Sequence, residues 1–225
     1  MSNKSMNTHL RETYEEIDQD VCRLHAYWQI FIQLFGKEES VELLNSTAAF
    51  AARSIQLALR NQIYLKITKL TDPAEQKAYK NLSLEELVQS VQDKELREDL
   101  QAELERINKL VQPIKKYRNK VLAHKDKKVA LKTKDALQPV TRADIRDILS
   151  SMRAFMHSFQ EGYDDCNKVV YKEFALGADG RHLLFYLNRG YIASQKLDQV
   201  ERQELTAADF VETLQNTNGV DYRNR

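Results

Sequence analysis

Residues that interrupt helices are scarce in this chain. Only 6 Gly and 3 Pro occur among 225 residues. Because Gly and Pro punctuate turn-rich β folds and end helices, their scarcity predicts long, uninterrupted helices. Apolar residues make up 42% of the chain and charged residues 30%, which suits a buried core beneath a solvated helical surface. We therefore expect an all-α protein.

Apolar side chains recur at helical spacing and outline four long helices, at about residues 8–35, 40–70, 93–122 and 142–170. The first helix has its apolar face at Leu24, Trp28, Phe31 and Phe35. The stripe of the second is Leu44, Ala48, Ala51, Ile55, Leu59, Ile63, Ile67 and Leu70. The fourth continues through Ile145, Leu149, Met152, Phe155, Phe159, Tyr163, Cys166 and Val170. Four amphipathic helices of this length favour an up-and-down bundle of four to five helices.

Local signals mark the helix ends. Gly36 is a plausible C-terminal cap of the first helix, and Asp72-Pro73 ends the second because proline disfavours helical geometry in the residue before it. A capping box is predicted at residues 83–86, and residues 141–144 resemble another helix start. We expect the bundle to cover residues 1–174. A small, mainly helical extension is expected at 175–214, followed by a flexible polar tail at 215–225.

Several classes of function find little support in the residues. Cys22 and Cys166 lack a metal-like spacing, and the five histidines are scattered without a cysteine or carboxylate cluster. We therefore predict no metal and no cofactor, with the thiols as small apolar fillers in a reducing cytoplasm. His25 and His157 lie beside apolar stripes, as core or rim residues do. The chain also shows no signal-peptide region and no membrane span, so we expect a soluble protein.

Charge is strongly polarised along the chain although the formal net charge is only +1. Residues 72–105 hold ten acidic and four basic residues, a net charge of −6. Residues 115–134 hold nine basic residues and one acidic residue, a net charge of +8, and we call them the basic segment. Lysine runs are often no more than solvated surface. This run also surrounds an arginine and a histidine, and a dense positive patch attracts polyphosphate backbones.

Arg118 stands where the third helix should present an apolar side chain. The stripe of that helix advances by steps of four, three, four and three through Leu100, Leu104, Ile107, Val111 and Ile114, so the next member is residue 118. A buried arginine must find a carboxylate, a phosphate or a water-filled interface. One interpretation is a structural ion pair, for instance with Asp72, and the other is a phosphate-binding site.

His124 follows six residues later, which creates an angular problem. At ~100° per residue the two side chains point ~120° apart in a straight helix and cannot share a site within it. Either the helix loosens near Pro113 or after Leu122, or two copies of the chain each contribute. A lone histidine is more often structural than catalytic. Asp126, two residues on, could orient the imidazole once the helix has ended.

The whole segment is more specific than its parts. The run from Tyr117 to Asp126, YRNKVLAHKD, contains an arginine followed by asparagine, an alanine before the histidine and an aspartate two residues after it. This run resembles the Arg-x(4–6)-His signature of the HEPN superfamily, and RNKVLAHKD is similar to its AbiU-type abortive-infection branch. Leu70-Thr71-Asp72-Pro73 also looks like that branch. The resemblance covers about residues 8–172.

The resemblance implies a helical bundle that forms a homodimer, with the two motifs side by side in one cleft. Active members cut RNA without a metal, using the 2′-hydroxyl of the RNA as nucleophile. Arg118 and His124 would then be catalytic, and the supporting or RNA-binding residues would be Tyr117, Asn119, Lys120, Lys125 and Asp126. Histidine titrates near neutral pH and suits proton transfer, while arginine suits a crowded anionic transition state.

Three hypotheses follow for the function. The first is a metal-independent endoribonuclease of a defence or toxin system. The second is a non-catalytic HEPN module that binds nucleic acid, a nucleotide or a protein partner, because superfamily membership does not guarantee activity. The third is a helical dimerisation scaffold with a solvated lysine loop. The RNA substrate, and whether an antitoxin or other regulatory protein restrains the activity, are left open.

Overall fold

The structure is a computed structural model that describes residues 5–76, 78–123, 137–166, 169–171, 177, 179–202 and 204–216. These residues fall into two compact units. The first comprises the described parts of Met1–Tyr27 and Asn61–Phe174, and the second those of Trp28–Arg60 and Ala175–Arg225. The first two long helices contribute residues to both units.

The described part of the chain is almost entirely helical, which confirms the predicted all-α class. Its helices are α1 Thr8–Phe35, α2 Glu38–Leu70, α3 Leu84–Ser90, α4 Lys94–Leu110, α5 Gln112–Tyr117, α6 Arg142–Glu161, α7 Gly180–Glu201 and α8 Ala207–Asn216. A two-residue antiparallel pair joins α2 to α3, with β1 Glu75–Gln76 opposite β2 Tyr79–Lys80. Within the described ranges, no helix combines the length and apolar character that crossing a membrane requires.

The core of the first unit lies where α4 packs on α6. Leu100, Leu104 and Ile107 of α4 are at most 3% exposed, and so are the α6 residues Ile145, Leu149, Met152, Phe155 and Phe159. The predicted stripe of α6 is therefore confirmed as far as Phe159. Its start is also as predicted, because Thr141 and Asp144 form a capping box. Packed aromatic and aliphatic side chains of this kind are the main source of stability.

The helix α6 ends earlier than its apolar pattern predicts. It stops at Glu161 and is followed by Gly162, whereas the pattern continued through Tyr163, Cys166 and Val170. A Cβ at position 162 would lie 2.3 Å from Leu96 Cδ2, so the close approach of α4 favours glycine there. Val170 is 64% exposed and does not extend the buried face. Sequence periodicity overestimates helix length where a tertiary contact ends the helix.

Helix α2 departs from its predicted buried face within the second unit. Its backbone leaves helical geometry at Ala48, with φ −156° and ψ 57°. Near this interruption Ala52 is buried at 5% exposure, while Ala48, Ala51 and Ile55 are exposed. The core of this unit is formed instead by Leu34, Phe35, Leu43, Leu44, Ala52 and Leu184. The predicted stripe is therefore wrong between residues 48 and 55.

The first turn of α7 is held by a buried carboxylate. Asp179 caps the helix, its side chain is 1% exposed, and it accepts hydrogen bonds from Gln33 Nε2 at 2.7 Å and Arg181 Nη2 at 2.9 Å. His182 Nδ1 lies 3.2 Å from the same carboxylate. Burial alone would raise the pKa of Asp179, but the hydrogen bonds from Arg181, His182 and Gln33 together lower it below its ordinary range.

We expect Asp179→Ala to lower the free energy of unfolding by about 2 kcal/mol, because it removes an N-cap and the acceptor that Arg181 and Gln33 share. Urea unfolding followed by circular dichroism measures the change. Asp198→Ala, an exposed aspartate on the same helix, is the matched control and should cost under about 0.5 kcal/mol. Equal losses in the two variants would show that the cap contributes nothing.

Candidate functional site

The helix that carries the motif is not one straight helix. The sequence predicts a single helix over residues 93–122, whereas α4 ends at Leu110 and α5 begins at Gln112 with Pro113 in its first turn. Proline lacks the N–H that would continue the α4 ladder, so the chain breaks there and starts a new helix. The break lies near Pro113, which is one of the alternatives that the sequence left open.

The motif itself begins in a turn of π-helix. Residues Arg118–Leu122 adopt π geometry, and the Ala123 N–H donates to the Arg118 carbonyl at 2.8 Å, one residue further than in an α-helix. Such wide turns occur as single insertions in helices, frequently at functional sites. The ~100° per residue of an ideal α-helix therefore does not apply across Arg118–Leu122. His124, Lys125 and Asp126 lie outside the described residues.

Arg118 is fixed by two protein groups on different sides of its guanidinium. Nη1 donates to both oxygens of Asp72, at 2.7 and 3.0 Å, and Nε donates to Asn119 Oδ1 at 3.0 Å. The side chains of Arg118 and Asp72 are 23% and 20% exposed. The ion pair that the sequence suggested is thus present. No acceptor among the described residues takes a hydrogen bond from Nη2, which leaves that edge of the fork available to an anion.

Asp72 lies at the corner where α2 ends, and a second cation holds the same corner. Lys115 Nζ donates to the Thr71 carbonyl at 2.6 Å and to Asn108 Oδ1 at 3.2 Å. Burial lowers the pKa of Lys115 below its ordinary value, with a further decrease from Arg118, and Asp72 and Glu85 only partly oppose this. Lys115 appeared in the sequence only as one charge of the basic segment, so its structural partners were missed.

The hairpin that follows Asp72 is tied down by its own hydrogen bonds. The Ala74 N–H donates to Glu85 Oε2 at 2.7 Å, and Asn81 Nδ2 donates to the Pro73 carbonyl at 2.8 Å. Glu85 belongs to the capping box predicted at residues 83–86. The helix α3 does begin there, but Ser83 makes no side-chain capping bond to a described residue. Glu85 instead stabilises the loop that carries Asp72.

The remaining predicted site residues divide by environment. Tyr117 is half-buried, and its ring packs edge-on against Tyr64 with centroids 5.4 Å apart, so it anchors the end of α5 to α2. Asn119 is exposed and holds Arg118, while Lys120 is half-buried in the π turn. The structure therefore brings Arg118, Asn119 and Asp72 together. Within the described ranges, no group of three or more His, Cys, Asp or Glu side chains could hold a metal ion.

A buried polar cluster elsewhere in the first unit was missed by the sequence analysis. Gln160 Nε2 donates to the hydroxyls of Tyr14 and Tyr171, each at 2.9 Å, and the Tyr171 hydroxyl donates to Asp18. His25 stacks on Tyr171 with ring centroids 5.8 Å apart. Burial raises the pKa of both tyrosines above the ordinary range, so they stay protonated and act as hydrogen-bonding core groups.

Comparison with known proteins agrees with the motif and the fold. The family model HEPN_AbiU2, described as AbiU2, matches residues 7–179, a span that contains Asp72, Lys115, Arg118 and His124. No curated protein and no solved structure matches the chain. A HEPN domain suggests a nuclease or a defence module, and the AbiU2 name suggests abortive infection. With a family match over most of its length, an all-helical fold and the motif that begins at Arg118, the chain belongs to the AbiU2 family of HEPN domains.

Proposed function

We propose that this protein is a metal-independent endoribonuclease of a defence or toxin system. The observation that carries the proposal is the state of Arg118, whose guanidinium is held by Asp72 and Asn119 while Nη2 has no described acceptor. The residue lies in a basic segment of net charge +8. A preoriented guanidinium with a free edge, surrounded by positive charge, suits the phosphate of an RNA backbone.

The proposed reaction uses the RNA as its own nucleophile. The 2′-oxygen attacks the adjacent phosphorus while its proton passes to a histidine, and the P–O5′ bond breaks as the 5′-oxygen accepts a proton. The products end in a 2′,3′-cyclic phosphate and a 5′-hydroxyl. His124 supplies the proton transfer, and Arg118 stabilises the extra negative charge on the phosphorane-like transition state. Lys120 and Lys125 guide the strand, and Asp126 orients the imidazole.

A single histidine cannot act as base and acid in the same step. A homodimer would supply two copies of His124 to one composite site, which is the role we propose for a second copy of the chain. In the same proposal, residues 1–174 form the catalytic bundle and 175–214 an extension, with 215–225 as a tail. The partner is RNA read through its backbone charge and shape, and the protein acts in the cytoplasm without a membrane.

Asp72 has a defined part in this proposal. A carboxylate that binds only Nη1 fixes the direction of the guanidinium without occupying Nη2. Because both side chains are largely shielded from water, the pair is stronger than an exposed one and limits the rotamers of Arg118. We propose that this restriction reduces the conformational entropy that Arg118 loses when RNA binds.

Cleavage by the purified full chain tests the proposal directly. We expect fragments with 2′,3′-cyclic phosphate ends from labelled RNA in the presence of EDTA, because the chemistry needs no metal. The control substrate carries a single 2′-deoxynucleotide at the cleaved position and should resist cutting there. Sedimentation should show a dimer at micromolar concentration. Cutting of the deoxy-substituted strand, or a requirement for Mg²⁺, would contradict the mechanism.

One observation favours the second candidate, a non-catalytic HEPN module. Asp72 already neutralises Arg118, so the pair could serve only to hold α5 against the end of α2. The same assay separates the two functions. RNA binding in a gel-shift experiment without fragments, under conditions where the protein is folded and dimeric, would support the binding module over the nuclease.

A further inference from the structure

Two cationic side chains one helical turn apart bind consecutive residues at the end of α2, Thr71 and Asp72. Lys115 lies three residues before Arg118, so both side chains leave the same side of the helix. Lys115 binds the carbonyl of Thr71, at 2.6 Å, and Arg118 binds the carboxylate of Asp72, at 2.7 Å. The position of Asp72 relative to Arg118 therefore depends on how firmly the Thr71 carbonyl is held.

The Thr71 carbonyl requires a hydrogen-bond donor from outside α2. It follows the last residue of α2, and the final carbonyls of a helix have no N–H within the helix to accept from. An ammonium suits this place because it satisfies a carbonyl and complements the negative end of the helix. Lys115 also binds Asn108 on α4, so one side chain connects the end of α2 with α4 and α5.

We propose that Lys115 is a positioning residue of the RNA-cleavage site, acting through Asp72 on the orientation of Arg118. The inference rests on the proposed ribonuclease function. Lys115 is half-buried, and two of its three N–H groups are used by Thr71 and Asn108. It therefore acts on the corner of the protein and not on the RNA. Removing it frees the Thr71 carbonyl and loosens the Asp72 carboxylate that directs Arg118.

Steady-state kinetics separate positioning from direct RNA binding. We expect Lys115→Met to lower kcat about tenfold while KM for an RNA oligonucleotide stays within about twofold, because Arg118 is misoriented mainly in the transition state. The dependence of binding on salt should keep the wild-type slope. Loss of a phosphate contact would instead raise KM and reduce that slope by about 1. That second pattern would overturn the positioning role.

Two further variants control for charge and for folding. Lys109→Met removes the same charge from an exposed position on α4 and should keep the wild-type kcat and KM. Lys115→Arg keeps a cation with several donors and should restore kcat to within about threefold of wild type. Equal losses of kcat in Lys109→Met and Lys115→Met would show that the effect comes from net charge alone, which would contradict the proposal. If Lys115→Met does not fold, Lys115→Gln supports the same comparison.

A chemical readout tests the inference independently of activity. Phenylglyoxal modifies arginine, and peptide mass spectrometry gives the rate at Arg118 relative to Arg146, whose side chain is 74% exposed. We expect Lys115→Met to raise the rate at Arg118 several-fold because the Asp72 pair is loosened, with no change at Arg146. An unchanged rate at Arg118 would overturn the inference. If wild-type protein does not cleave RNA, the proposed function fails and the labelling experiment still decides the role of Lys115.

Discussion

Replacing His124 with alanine should reduce RNA cleavage by about 10²–10⁴-fold, the range over which general acid–base catalysis acts. In the proposed mechanism one copy of His124 takes the 2′-hydroxyl proton and the other gives a proton to the leaving oxygen, and an imidazole can do either near neutral pH. Alanine cannot transfer protons, while RNA binding should persist because the nearby cations remain. The measurement is kcat for a labelled oligonucleotide, with KM reported separately.

The matching control is His9→Ala, which makes the same change at an exposed position of α1. Both variants should keep the helical circular dichroism spectrum and the sedimentation behaviour of the wild type. Persistent cleavage by the His124 variant would remove this residue from the mechanism. Loss of cleavage in both variants would show that the assay reports something other than the motif.

The second large effect is an acid sensitivity caused by His25. Its side chain is 7% exposed, and burial lowers its pKa from 6.5 to about 4, with a further contribution from the charge of Arg153. In the unfolded chain the imidazole keeps its ordinary pKa, so as the pH falls the unfolded state takes up the proton first. The free energy of unfolding should therefore decrease between pH 6.5 and 4, by about 3 kcal/mol in total.

The expected result is a difference between wild type and His25→Phe, a variant that keeps an aromatic ring on Tyr171 but has no titratable group. Between pH 7 and pH 4.5 the wild type should lose about 2–3 kcal/mol more than the variant, measured by urea unfolding. Asp179 and the other shifted carboxylates are common to both proteins, so their contributions cancel. Parallel pH profiles for the two proteins would contradict the assignment to His25.

Features of helix ends could be predicted because they are local. The bounds of α1 agree with the prediction at both ends, and α6 begins at the predicted place, where Thr141 and Asp144 form a capping box. A cap needs only a side chain and a backbone N–H a few residues away, although the bond predicted for Ser83 does not form with a described residue. The buried face of α6 was also predictable, because its apolar stripe packs in the core against α4 and, at Phe159, against Tyr14 of α1.

Backbone irregularities could not be predicted in the same way. Neither the interruption of α2 at Ala48 nor the π turn at Arg118–Leu122 has a proline or glycine in it. A periodic apolar pattern without a helix-breaking residue does not record either irregularity. The errors at Ala48, Ala51 and Ile55 lie at the interruption or shortly after it, whereas Ile63, Ile67 and Leu70 are buried as the stripe predicts.

The candidate site shows the same division. The sequence alone already indicated a candidate site and the family to which the chain belongs. The pattern that did so is an arginine on an apolar stripe, followed by a histidine and surrounded by lysines. It also indicated that Arg118 needs an anionic partner, because burying a lone guanidinium is too costly. Only the tertiary structure decided that Asp72, 46 residues earlier, binds one edge of the guanidinium and leaves Nη2 free of described acceptors. This contact depends on how the end of α2 packs against α5, where Lys115 binds the Thr71 carbonyl. A local sequence pattern does not record such packing.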